Sequence, residues 1–186
     1  QPLAALTSAK AQALLFYLAF TGHTHTRAAL ASLLWGDVSD ASARTNLRKA
    51  LQALREHLAP WLSTSRDQIG FAADAAYWTD VREFKSALHD ARDGDVDRLQ
   101  HGLDLYRGDF LHGFYVRNAP DFETWWLSEE AELREQALDG YGKLADLFIE
   151  RDELDRAIVA VRRSLVIEPW REKAHRRLMT LLAQNG

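Results

Sequence analysis

Between residues 138 and 169 the chain places Tyr141, Leu144, Ala145, Phe148, Ala157, Val161, Ser164 and Pro169 at offsets that few folds accept. Small side chains at Ala145 and Ala157 let two helices approach closely, aromatic and aliphatic positions fill the space between them, and Pro169 begins the next helix. The series spans roughly the 34-residue period of helix-pair repeats when residue 138 is its first position. From Glu172 onward another repeat begins, with Leu178, Met179 and Leu182, and the chain stops where its second helix is expected. The C-terminal part therefore reads as an all-α, tetratricopeptide-like array.

A chain of 186 residues fits two small domains. Its 47% hydrophobic content, with aromatic residues 10% of the chain, is enough for real cores and makes disorder unexpected despite 27% charged residues. The absence of cysteine excludes disulfides and thiolate metal sites. No apolar run reaches the roughly 18 to 20 residues of a membrane span; the longest, Ala11 to Phe20, is interrupted by Gln12. Neither is there a basic segment followed by a small-residue cleavage site, so the reading is cytoplasmic, with no membrane partner. A start at Gln1 and a single methionine, Met179, suggest a piece of a longer protein.

The N-terminal part divides into three helices. Thr7 or Ser8 caps the first, which runs to about Phe20 with Leu14, Leu15 and Leu18 inward, and Gly22 stops it. After a polar turn through His23, Thr24 and His25, Thr26 caps a second helix bearing Leu30, Leu33, Leu34 and Trp35 and closing at Gly36 and Asp37. The third starts near Ser39 or Asp40 and ends before Pro60. Short extended pieces follow, WLSTS, IGF and YWT, the pattern of a small hairpin placed as a wing after a helix-turn-helix. Asp80 to Glu83 forms a capping box, and everything beyond it is helical. The expected domains are 1–80 and 81–186.

The third helix has two faces. Leu47, Leu51, Leu54 and Leu58 make an apolar stripe, and Arg44, Thr45, Arg48, Lys49, Gln52 and Arg55 cluster away from it. These residue types contact phosphates and base edges when a helix lies in a major groove, although a solvated surface helix shows the same pattern. Ser63, Thr64, Ser65 and Arg66 are expected at the wing tip, where hydroxyls and a guanidinium suit phosphate contact or, equally, a plain polar turn. Charge is uneven: residues 1–80 carry about +1, residues 40–66 about +3, and the remainder about −5. So weak a basic patch points to a helix presented twice, because counterion release by several cations normally supplies most DNA affinity.

Other constellations favour structure over chemistry. His23 and His25 lack a third metal ligand, and Asp90, Asp93, Asp95 and Asp97 lack the register and terminal glutamate of a calcium loop. Glycine-rich phosphate loops, nucleophile elbows and H-E-x-x-H are absent, so neither catalytic residues nor a metal or cofactor is expected. Phe122 and Trp126 are expected in the core, with Trp125 covering its edge. Tyr106 to Leu111 reads as a helix end with a glycine cap, followed by a loop that packs Phe110 and Leu111 back.

The segments LASLLWGD, SARTNLRKALQALREHL, LYRGDFLHGF, FETWWLSEEAELREQALDGYGKLADLF and IEPWREKAHRRLMTLL resemble, in order and spacing, the bacterial transcriptional activation domain family, including regulators of the antibiotic regulatory protein (SARP) class. The resemblance covers nearly the whole chain. It implies a mainly α fold in which a response-regulator type winged helix-turn-helix precedes a tetratricopeptide-like domain. The implied function is a transcriptional activator that binds double-stranded DNA repeats as a homodimer and assists RNA polymerase. Arg44, Thr45, Arg48, Lys49, Gln52 and Arg55 would then form the reading face, with Arg66 at the wing. The N-terminal strands usual in the family would lie before Gln1, and the terminal repeat is incomplete; both imply a trimmed chain. An interaction scaffold, with a degenerate winged helix and a peptide-binding groove, is the alternative that the modest positive charge favours.

Overall fold

The computed structural model describes residues 6–72, 74–91 and 94–185. Within them the chain is mainly helical, with one small sheet. Ser8 begins α1 (Ala9–Thr21) by accepting a hydrogen bond from the Ala11 amide, and Gly22 ends it with φ of 69°, its amide donating to the Leu18 carbonyl. Only glycine adopts that left-handed turn without strain. Thr26 caps α2 (Arg27–Trp35), and Ser39 caps α3 (Asp40–Leu58). In each case a side-chain oxygen takes an amide that the first helical turn leaves unpaired.

The expected polar turn at His23 to His25 is corrected in part. His25 and Thr26 form a short strand, β1, whose partners are Ile69 and Gln68. A 3-10 turn at Ala59–Trp61, set by Pro60, leads to β2 (Leu62–Thr64), which pairs antiparallel with β3 (Gln68–Phe71). The sheet order is β1-β3-β2. Residues 77–79, expected as a further extended piece, form no strand. Tyr77 instead stacks on Phe71, with ring centroids 4.4 Å apart.

The described chain forms two compact units, one of residues 1–79 with 113–128, the other of residues 80–112 with 129–186. Leu14, Leu18, Leu30, Leu34, Leu47, Leu54 and Ile69 are fully buried in the first. Segment 113–128 joins that unit through aromatic packing. Phe114 meets Phe16 edge-on at 5.1 Å, Phe122 is fully buried, and Trp125 lies 4.7 Å from Tyr17 and 5.3 Å from Phe20. Trp125 and Trp126 are both half-buried, so Trp126 is not in the core as expected, while Trp125 packs at its edge against Tyr17, Phe20 and Phe122. Lys10 donates to the carbonyls of Leu34 at 2.6 Å and Asn118 at 2.8 Å, placing a cation on the last turn of α2. Burial lowers the Lys10 pKa, and Asp37 opposes that shift.

The second unit holds α4 (Asp80–Asp90), α5 (Val96–Leu105), α7 (Leu154–Ile167), α8 (Glu172–Asn185) and the part of α6 (Pro120–Glu150) from Glu129 on. Gly102 lets α5 approach α4; a Cβ there would lie 2.5 Å from that of Ala87. Tyr141, Leu144, Ala145, Phe148, Ala157, Val161 and Ser164 are all buried, as their offsets require of a close helix pair. Asp152, with φ of 61°, sits in the turn joining α6 to α7. Asp95 caps α5, whereas Asp93 of the acidic run lies outside the described residues. α5 ends at Tyr106, ahead of the glycine expected as its cap. The Tyr106 ring packs 6.0 Å from Phe84, and its backbone is already extended before Gly108 is reached.

Candidate nucleic-acid interface

α3 is held from one side only. Ala43, Leu47, Ala50, Leu51 and Leu54 are buried, while Arg44, Thr45, Arg48, Lys49, Gln52 and Arg55 are all exposed on the opposite side. Among the described residues Arg44, Arg48, Lys49 and Gln52 make no hydrogen bond or ion pair, so their donors face water. Glu56, also exposed, shares that side near the C-terminal end of the helix. Thr45 is partly committed: its hydroxyl donates to the Ala41 carbonyl at 2.9 Å. Arg55 is committed too, through a hydrogen bond from its guanidinium to the Thr64 hydroxyl on β2.

The hairpin corrects the expected tip. Ser63 and Thr64 lie within β2, opposite Gly70 and Ile69, because the ladder continues to the Thr64–Ile69 pair. The turn is Ser65, Arg66 and Asp67. Ser65 is largely used up in forming it, since its amide donates to the Gln68 carbonyl at 2.9 Å and its hydroxyl accepts from the Gln68 amide at 3.0 Å. Arg66 is exposed and, among the described residues, has no partner. Of the four expected tip residues, Arg66 alone is presented as a cation.

Arg27 is the residue that the sequence reading passed over. Its guanidinium donates through Nε and Nη2 to the Ser65 carbonyl at 3.1 and 3.0 Å, and its amide donates to the Asp67 carbonyl at 2.9 Å. The turn carrying Arg66 is thus tied to the first residue of α2. A cation on the first turn of a helix opposes the helix dipole and needs a compensating acceptor, which was the available signal.

Several cations elsewhere are compensated. Arg98 reaches Glu83 at 2.7 Å, Arg134 reaches Asp109 at 2.8 Å, and Arg171 bridges Glu168 and Glu135. Beside β1, the Thr21 hydroxyl donates to the Tyr17 carbonyl at 2.8 Å and lies 2.8 Å from His25 Nε2. Burial, aided by His23, lowers the His25 pKa. No group of three or more potential metal-ligating side chains occurs among the described residues, and no helix there is long and apolar enough to cross a membrane.

In class, the domain that residues 73–186 form is a transcription-regulator domain. The model of the bacterial transcriptional activator domain matches residues 73–186, more than half of the chain, and the chain belongs to that family. Domains of this family are found in transcriptional activators. No curated protein matches the chain. The matched stretch includes residues 113–128, which pack in the first unit.

Proposed function

We propose that the chain is a DNA-binding transcriptional activator. Residues 1–80 act as a winged helix-turn-helix module: α3 enters the major groove and the turn at Arg66 approaches the backbone. The tetratricopeptide-like part from residue 81 supports dimer contacts or engages RNA polymerase. The observation that carries this reading is the row Arg44, Arg48 and Lys49, exposed and without partners on a helix whose other side is buried. Side chains so placed meet base edges and phosphates without first breaking an internal ion pair.

The test is a binding-site selection with the 186-residue chain, followed by titration of the selected duplex. Arg48→Ala is expected to weaken binding by about 1 to 3 kcal/mol, with Arg44→Ala adding to the loss. Unchanged affinity in the double variant would refute the assignment. The net charge of −4 favours a second reading, an interaction scaffold whose peptide groove lies in the helical array. Under that reading no duplex is selected.

A further inference from the structure

The second unit carries an uncompensated cationic face of its own. Ala157, Ile158, Ala160, Val161 and Ser164 turn α7 inward. On the opposite side Val159 and Val166 are 57% and 76% exposed, with Arg162 and Arg163 between them. Val159 and Val166 thus give the outward stripe of α7 apolar surface on either side of the two arginines. A cleft of about 600 Å³ opens beside this stripe, lined by Arg163, Val166 and Ile167 of α7 and by Arg107 of the loop after α5.

Charge identifies the occupant. Among the described residues Arg107, Arg162 and Arg163 make no hydrogen bond or ion pair, although residues 81–186 hold 21 acidic side chains against 16 basic. Arg98, Arg134, Arg156, Arg171 and Arg177 of the same unit all reach carboxylates. Two acids line the cleft: Asp109 is engaged by Arg134 at 2.8 Å, which leaves Asp104 the one unpaired carboxylate against two arginines. We infer that this face docks an acidic, amphipathic helical segment of a partner protein. Its carboxylates pair with Arg107, Arg162 and Arg163, and a large apolar side chain enters the cleft against Val166 and Ile167. A phosphate backbone would find the same cations but would gain nothing from the two valines. The inference does not depend on α3 reading DNA.

The probe is a fluorescein-labelled synthetic amphipathic helix with Glu on one face and Leu and Phe on the other, titrated with the 186-residue chain at low salt and followed by anisotropy. The parent is expected to bind it. Arg107→Glu with Arg163→Glu, and separately Val166→Asp, are each expected to raise Kd about tenfold. Arg44→Ala with Arg48→Ala is expected to leave peptide binding unchanged, and a Lys-for-Glu version of the peptide is expected not to bind. All the substituted side chains are exposed; far-UV helicity verifies the fold, and Arg107→Gln with Arg163→Gln gives a milder variant that is expected to weaken binding in the same direction. The inference is overturned if the parent does not bind, if charge reversal leaves peptide binding unaltered, or if only the α3 variant loses it. Loss of selected-duplex binding on charge reversal at Arg107 and Arg163 would also overturn it, marking this face as a phosphate surface.

Discussion

At Gly102 a single hydrogen sets the spacing of two helices. Alanine would gain about 0.5 to 1 kcal/mol of helix propensity there, but its Cβ would sit 2.5 Å from the Ala87 Cβ, an atom that has no rotamer in which to retreat. Overpacking wins, and Gly102→Ala is expected to lower stability by about 1 to 3 kcal/mol, read from the urea midpoint. Ala87→Gly in the same chain is expected to recover part of that loss. His25 makes the other argument at this scale. Its pKa in the folded protein is depressed below 6.5, so the unfolded chain takes up a proton first as pH falls. The stability that neutral His25 contributes is complete above 6.5 and disappears as pH drops through the folded value. Between about pH 7.5 and about pH 5.5 the parent is therefore expected to lose more stability than His25→Gln, measured by paired urea titrations.

Among elements, the helices were readable because each carries its own local signals. Ser8, Thr26 and Ser39 cap helices whose buried residues recur every three or four positions, and Gly22 stops the first as its φ requires. β1 was not readable: two residues have no alternation to detect, and their partners lie more than forty positions away. A hairpin after α3 was foreseen, but the position of its turn was not. With the turn at Ser65 to Asp67 instead of Ser63 to Arg66, Ser63 and Thr64 move from tip to ladder. The outward residues of α3 could be named from spacing alone, whereas the attachment of Arg55 to Thr64 and of Arg27 to Ser65 rests on contacts between distant segments. That attachment has a measurable role. Arg27→Ala removes two donors from the Ser65 carbonyl and is expected to cost about 1 kcal/mol, speed amide exchange at residues 65–67, and weaken duplex binding a few-fold with α3 unaltered.

For the molecule as a whole, electrostatics limits what one copy can do. Arg44, Arg48, Lys49 and Arg66 are the interface cations without internal partners, against a net charge of −4. Each phosphate contact contributes about −0.9 to the slope of log affinity against log salt, so one copy is expected to show a slope of about −3 to −4 and a DNA-bound pair about twice that. A flat profile would favour the scaffold reading. The aromatic segment at residues 113–128 carries a further consequence, for how such proteins are cut and recombined. Phe114, Phe122 and Trp125 come from the family-matched stretch yet pack on Phe16, Tyr17 and Phe20. A fragment ending at residue 79 would bare those rings to solvent. An exchange of the N-terminal stretch alone would replace one side of this packing and leave the other, so residues 16–20 and 113–128 are expected to need exchanging together.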